Sequence, residues 1–265
     1  MMRLCIVGMG YSGAWIGRAA EAAGLEVVGV RRAASADVIG FDEAAVAGLV
    51  AEADFLLSSV PPWAEGDPVL ARFGAALRAR RGWTGYLSST GVYGDCGGAW
   101  VDESAAVGTG RRTARSAADA DWQALGATVF RLPGIYGPGR SAIEAVREGT
   151  ARRVNRPGHV FSRVHVADIA GAVVASMKRD FRGVVNVADD LPAEPRAVTE
   201  FACGLLGSPL PPLLPLDEAG LSPMALGFWT ERRRVANGRL TGMLGYRLRF
   251  PDYKSGLVAC LRSAS

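Results

Sequence analysis

Gly8-Met9-Gly10-Tyr11-Ser12-Gly13 follows an apolar run at 3–7 and opens a helical pattern at 12–23 that stops at Gly24. Few turns restrict a chain so tightly. The first glycine permits the sharp reversal from strand to helix. The second leaves bare backbone for close approach of a pyrophosphate, and the third lets helix and strand touch without an intervening Cβ. N–H groups left free at the start of the helix then face an anion. In this strand–turn–helix setting the motif predicts a βαβ unit that binds a dinucleotide. Arg3, the apolar run and the small residues near 19–23 superficially imitate a secretory leader, but three glycines interrupt the stretch and no leader is expected.

The rest of the chain repeats the alternation. Strands are predicted at 3–7, 26–30, 37–39, 55–59, 85–88, 128–132 and 184–187. Helices are predicted at 12–23, from a cap at Asp42 to about 52, and at 69–80, 112–125, 141–149 and 168–177. Such alternation gives an α/β fold, a Rossmann-type doubly wound parallel sheet. Beyond Asp189 the composition shifts to short segments punctuated by Pro192, Pro195, Pro209, Pro211, Pro212 and Pro215. The expected organisation is an NAD(P)-binding domain at 1–150, rejoined by 168–187, with a small C-terminal substrate lobe from 151–167 and 188–265.

Composition limits the partners. At 265 residues with 49% hydrophobic residues, the chain can bury one large core and a small appendage. The net charge of +4 is carried almost entirely by arginine, without a basic stripe or a nucleic-acid-binding motif, so no nucleic acid is expected. Cys5, Cys96, Cys203 and Cys260 are scattered, which suggests neither a disulfide framework nor a metal site and fits a reducing cytoplasm. No apolar run approaches the ~18 residues of a membrane span, and no membrane partner is expected.

The end of the second predicted strand bears on cofactor choice. A carboxylate there would bind the ribose 2′-hydroxyl of NAD; this chain has Arg31 and Arg32. A guanidinium can hold a 2′-phosphate with two hydrogen bonds. NADP(H) is therefore expected over NAD(H).

The GMGYSG turn, SSTGVYGD (88–95), FRLPGIYGPGR (130–140), RVHVADIAGAV (163–173) and NVADD (186–190) together resemble the extended short-chain dehydrogenase/reductase superfamily, specifically its NAD-dependent epimerase/dehydratase family. The resemblance covers nearly the whole chain. It implies a Rossmann domain with a smaller substrate lobe, often for a nucleotide sugar, and frequently a homodimer. It also implies that Ser89 hydrogen-bonds the reacting oxygen and that Pro133, Gly134 and Ile135 line the nicotinamide face. The expected cofactor set comprises these three with Gly8, Gly10, Tyr11, Ser12, Gly13, Arg31, Arg32, Ser58, Ser59, Val60 and Ser88.

The chain departs from the family at its chemical centre. The Tyr-x-x-x-Lys pair, whose spacing puts both residues on one helix face, reads Arg111 and Arg115 here, with Asp119 at the next such step. Arginine stays protonated and is a poor proton shuttle. Arg115 could still hold ribose hydroxyls, and Arg111 could bind a substrate anion or stabilise an oxyanion. The alternative for both is a surface helix face, where like charges four residues apart are mildly unfavourable and hint at an anion. Tyr93, Asp95, Cys96, Asp102 and Glu103 are the candidates to replace the missing acid. His165 reads as structural, with Asp168 capping the helix beside it, and His159 as a loop residue at the substrate cleft. Arg232-Arg233-Arg234 reads either as a phosphate contact or as a solvated basic run. The leading expectation is an atypical NADP(H)-dependent oxidoreductase or epimerase for a small polar substrate, a nucleotide sugar or another anion. The alternative is an NADP(H)-binding regulator or scaffold without turnover.

Overall fold

The computed structural model describes residues 1–35, 38–42, 44–110 and 113–263. Its first half runs β1 (Arg3–Val7), α1 (Tyr11–Ala22), β2 (Glu26–Arg31), β3 (Val38–Gly40), α2 (Ala45–Glu52), β4 (Phe55–Ser58), α3 (Pro68–Ala79), β5 (Trp83–Ser89), a 3-10 turn (Thr90–Tyr93), β6 (Trp100–Val101) and α4 (Thr113–Ala124). The second half runs β7 (Thr128–Leu132), β8 (Gly134–Tyr136), α5 (Ala142–Arg147), β9 (Arg153–Val154), β10 (Arg163–His165), α6 (Val166–Lys178), β11 (Val184–Asn186), α7 (Pro195–Leu206), β12 (Leu213–Leu214), α8 (Pro223–Phe228), β13 (Arg234–Val235), α9 (Gly238–Gly242) and α10 (Tyr253–Ser263). No helix among the described residues is long and apolar enough to cross a membrane.

Seven strands pair in parallel in the order β11-β7-β5-β4-β1-β2-β3. Side chains of a strand alternate between faces. In β1, Leu4 and Ile6 therefore enter the core shared with α1 and α6, while Cys5 and Val7 enter the core shared with α2, α3 and α4. Covering both faces explains why these strands read as continuous apolar runs. Strand order reverses between β1 and β4, which opens a crevice at the carboxyl ends of the strands. This is the Rossmann-type architecture.

The predicted boundaries shift where capping chemistry differs from expectation. Asp42 does not cap α2; it pairs with Arg72 at 2.7 Å, and α2 starts after Ala44 without a side-chain cap. Nor does Asp168 cap α6. His165 does, its Nδ1 accepting from the Ala167 N–H at 3.2 Å. Asp168 is fully buried and instead accepts from Tyr246 Oη at 2.9 Å, Arg249 N at 2.7 Å and Phe250 N at 3.1 Å, which ties the C-terminal segment to α6. The predicted starts at 37 and 112 lie outside the described residues. Helix α5 packs through Ile143 with Val198, Ala202 and Leu257 of α7 and α10, away from the sheet.

One polar cluster is buried under the sheet's carboxyl edge. Asp119 of α4 and Arg131 of β7 are 1% and 2% exposed. Arg131 Nη2 lies 2.7 Å from Asp119 Oδ1, and its Nε donates to Oδ2 at 3.1 Å. Ser88 Oγ donates to Asp119 Oδ2 at 2.5 Å, and Arg131 Nη1 donates to Tyr93 Oη at 3.0 Å. Removing one member leaves an uncompensated buried charge. Asp119→Ala should therefore cost about 3–5 kcal/mol, read as a lowered midpoint in denaturant unfolding; a loss under about 1 kcal/mol would show that the pair is dispensable.

Candidate active site

The glycine-rich turn is shaped by contacts that a side chain would break. Gly8 has φ +93°, and a Cβ there would stand 2.9 Å from Ser59 Oγ and from Val60 Cγ2. The N–H groups of Gly8 and Met9 both donate to the Val30 carbonyl, at 2.8 and 2.9 Å. A Cβ on Gly13 would meet Ile6 Cγ2 at 3.3 Å, so that glycine serves helix–strand packing. Gly10 differs: only the Gly8 carbonyl, at 3.8 Å, lies within 4 Å of its Cβ position. It precedes α1 with no side-chain cap, so the first-turn N–H groups remain open to an anion. These features fit a dinucleotide pyrophosphate.

From this turn a cleft of about 2230 Å³ runs along the carboxyl ends of the strands. Gly8, Gly10, Tyr11, Ser12, Arg31, Arg32, Ser59 and Val60 line its first part. Arg31 Nε donates to the Met9 carbonyl and braces the turn; Arg32 is exposed. Ser59 Oγ donates to the Gly8 carbonyl. Ser58 does not line the cleft. It is fully buried, paired within the sheet between Val7 and Tyr86, one residue short of the edge where the crevice opens.

The second part brings together Ser88, Ser89, Arg115, Pro133, Gly134 and Ile135. Ser88 is committed to Asp119. Ser89 Oγ accepts from the Gly91 N–H at 3.1 Å, and among the described residues nothing accepts its own proton. Arg115 spends Nη1 on Tyr86 Oη at 3.0 Å and the Leu87 carbonyl at 3.4 Å, leaving its other nitrogens for the cleft. Arg111 lies outside the described residues.

None of the five candidates for the missing acid lines the cleft. Tyr93 is buried against Arg131 and Asn186. Asp95 accepts from the Arg232 and Gly97 N–H groups, Cys96 donates to the Tyr93 carbonyl, Asp102 holds Ser104, and Glu103 accepts from Asn186 N.

Sequence reasoning missed the wall opposite Ser89. Phe161, Arg163, Phe228, Trp229, Glu231 and Val235 line it, together with Arg233. The Val235 N–H donates to Ser162 Oγ at 2.9 Å, joining segments more than 70 residues apart, so no local pattern could reveal them. The basic run separates: Arg233 turns inward to the Gly94 carbonyl and to Glu231 Oε2 at 3.1 Å, Arg234 donates to the Gly98 carbonyl, and Arg232 is exposed. His159 is not at the cleft surface. It is fully buried and stacks behind Trp229 with ring centroids 5.0 Å apart. Burial, then Arg156 and Arg232, push its pKa down to about 4, so it is a neutral ring at pH 7. Burial does the same to His165, also to about 4.

The cleft is cationic. Arg31, Arg32, Arg72, Arg115, Arg140, Arg163 and Arg233 line it against Asp42, Glu65, Asp67 and Glu231. Asp42 is paired with Arg72, and Asp67 caps α3 and accepts from Trp122 Nε1 at 2.9 Å. The excess favours anionic ligands. Among the described residues no cluster of His, Cys, Asp and Glu could hold a metal ion.

No family model matches the chain. A functionally unknown conserved protein from Silicibacter pomeroyi DSS is 40% identical and superposes with a TM-score of 0.89, covering 100% of this chain and 99% of that one. Human epimerase family protein SDR39U1 (isoform 2), solved with NADPH, is 20% identical with a TM-score of 0.76 over 97% of this chain and 98% of its own. A 3-diazoavenalumate denitrifying reductase from Streptomyces is 34% identical over 146 residues, 50% of this chain and 46% of that protein, so the chain spans about half the length of this curated relative. The chain has the fold of the human epimerase family protein, and it belongs to one family with the Silicibacter pomeroyi protein.

Proposed function

We propose that this protein is an NADP(H)-dependent oxidoreductase for a small anionic substrate. The observation that carries the reading is the continuity of one cleft from the Gly8–Gly13 turn, past Arg31 and Arg32, to Ser89 and the Pro133–Ile135 segment. The bare N-terminus of α1 would hold the pyrophosphate and Arg32 the 2′-phosphate, with Arg31 bracing the turn. The segments 151–167 and 188–265 would serve as the substrate-binding part. Bound there, a nicotinamide dinucleotide supplies a hydride to a substrate carbon or removes one.

This chain's residues do the rest. Ser89, oriented by the Gly91 N–H, offers its proton to the oxygen on the reacting carbon. Arg115 adds positive charge where an oxyanion develops. Glu231, a carboxylate of the cleft held by Arg233, would accept the proton when the substrate is oxidised; in reduction the proton would come from water. The reductase name of the Streptomyces relative supports reduction over epimerisation. A second reading, an NADP(H)-binding regulator, is favoured by arginine at 111, where the resemblance expects the acid/base tyrosine.

Calorimetric titration with NADPH and NADH tests the cofactor assignment. Arg32→Ala should weaken NADPH about 10–100-fold and leave NADH unchanged. Equal affinities for the two in the unaltered protein would refute the NADP(H) preference. Gly10→Val should weaken both cofactors at least about tenfold while the melting temperature holds, because nothing in the protein crowds that Cβ. On the substrate giving the fastest NADPH oxidation, Ser89→Ala should lower kcat about a hundredfold with NADPH affinity intact. NADPH binding without turnover on any carbonyl substrate would favour the regulator.

A further inference from the structure

The wall opposite Ser89 is more aromatic than a site for a small polar molecule requires. Trp229 and Phe161 meet at 5.4 Å between ring centroids with planes 73° apart. His159 supports both from behind, stacked on Trp229 and edge-on to Phe161 at 4.9 Å. These rings hold one another in place, so a ligand ring meeting them orders little that is not already ordered. Two more aromatics face the same cleft while open to water: Phe228 is 46% exposed and Trp63, from the β4–α3 connection, is 52% exposed. Large rings left wet in a concave site mark apolar surface for a ligand to cover.

A charge stands beside this wall. Phe161 and Arg163 are two residues apart in an extended segment, hence on one face and roughly 7 Å apart along it. The Arg163 stem lies against Gly134, its Cγ 3.7 Å from where a Cβ on that glycine would be. Its Nη1 donates to the carbonyls of Phe161 and Ala193, both at 2.9 Å. Among the described residues it has no carboxylate within salt-bridge distance, whereas Arg233 is matched by Glu231. Arg163 also borders a smaller pocket of about 420 Å³ behind the cleft. The buried Asp189 carboxylate acts on Arg163 from beyond ion-pair distance. A guanidinium with no directly bonded carboxylate among the described residues, next to stacked rings, favours a ligand with an anionic group on a flat apolar frame.

We infer that the substrate side of the cleft is a seat for a planar aryl carboxylate, its ring against Trp229 and Phe161 and its carboxylate on Arg163. This deepens the oxidoreductase reading and rests on it. It predicts a substrate class unlike a nucleotide sugar, which would need partners for a second phosphate and for several hydroxyls.

The test uses the full chain, titrated first with NADP+ and then, saturated with NADP+, with four probes. These are 2-naphthoate, 2-naphthamide, cyclohexanecarboxylate and UDP-glucose. The naphthoate should bind at least about tenfold more tightly than the amide, which lacks the charge, and than the cyclohexane acid, which lacks the flat ring. Phe228→Ser, at an exposed position, should weaken naphthoate severalfold and leave NADP+ binding unchanged. Trp229→Leu and Arg163→Gln should each weaken it about tenfold. If either of these buried-wall variants fails to fold, the probe series on the unaltered protein still decides. Naphthoate binding no better than its amide or the cyclohexane acid, or weaker than UDP-glucose, would overturn the inference while the cofactor reading stands. Failure of NADP+ to bind in the first titration would overturn both.

Discussion

The buried pair of Asp119 and Arg131 is the constraint around which the cleft-bearing half of this molecule is arranged. Two charges removed from water are tolerated only when their remaining donors and acceptors are satisfied. Here the carboxylate accepts four hydrogen bonds, two from Arg131 and one each from Ser88 and Gln123, and the guanidinium also reaches Tyr93. Each partner belongs to a different part of the site. Ser88 precedes Ser89 on β5. Arg131 leads through Leu132 into the Pro133–Ile135 segment. Asp119 lies one helical turn beyond Arg115, and Tyr93 closes the turn that Ser89 opens. Satisfying one ion pair therefore fixes α4, β5 and β7 relative to one another.

Much of this architecture was legible in the sequence because it depends on short-range rules. Three glycines within six residues impose the β1–α1 turn, and the sheet follows from apolar runs that alternate with helical patterns. Tyr93, a candidate acid in the sequence, is instead structural, since it anchors Asn186 and Arg131. Where several polar groups competed for one job, the sequence was ambiguous. His165 and Asp168 can each cap a helix. The choice was made by Tyr246 and the backbone of Arg249 and Phe250, some 80 residues away, which claim the carboxylate. Asp42 was similarly claimed by Arg72. Ser58 and Ser59 differ only by pleat and position, and one residue decides whether the hydroxyl enters the sheet or the cleft. The aromatic wall had no sequence signal at all: Phe161 and Trp229 meet through long-range contacts, the Val235–Ser162 bond and the packing of His159 among them.

That bond is one of several that tie the walls of the cleft together. The Asp189 N–H donates to the Arg163 carbonyl at 2.7 Å, and Asn186 Nδ2 donates to the Ala236 carbonyl at 3.0 Å. Asn237 Nδ2 reaches the Ala188 carbonyl at 2.9 Å, and Arg233 holds the Gly94 carbonyl of the turn that Ser89 begins. The first of these joins the residues after β11 to β10; the others join the end of β11 and the post-β5 turn to the chain that carries Trp229, Glu231 and Arg233. The sheet edge thus positions the aromatic wall of the cleft as well as the glycine-rich turn. Recognition in such a site comes from shape and charge already in place, so a ligand that does not match both gains little from the protein adjusting around it.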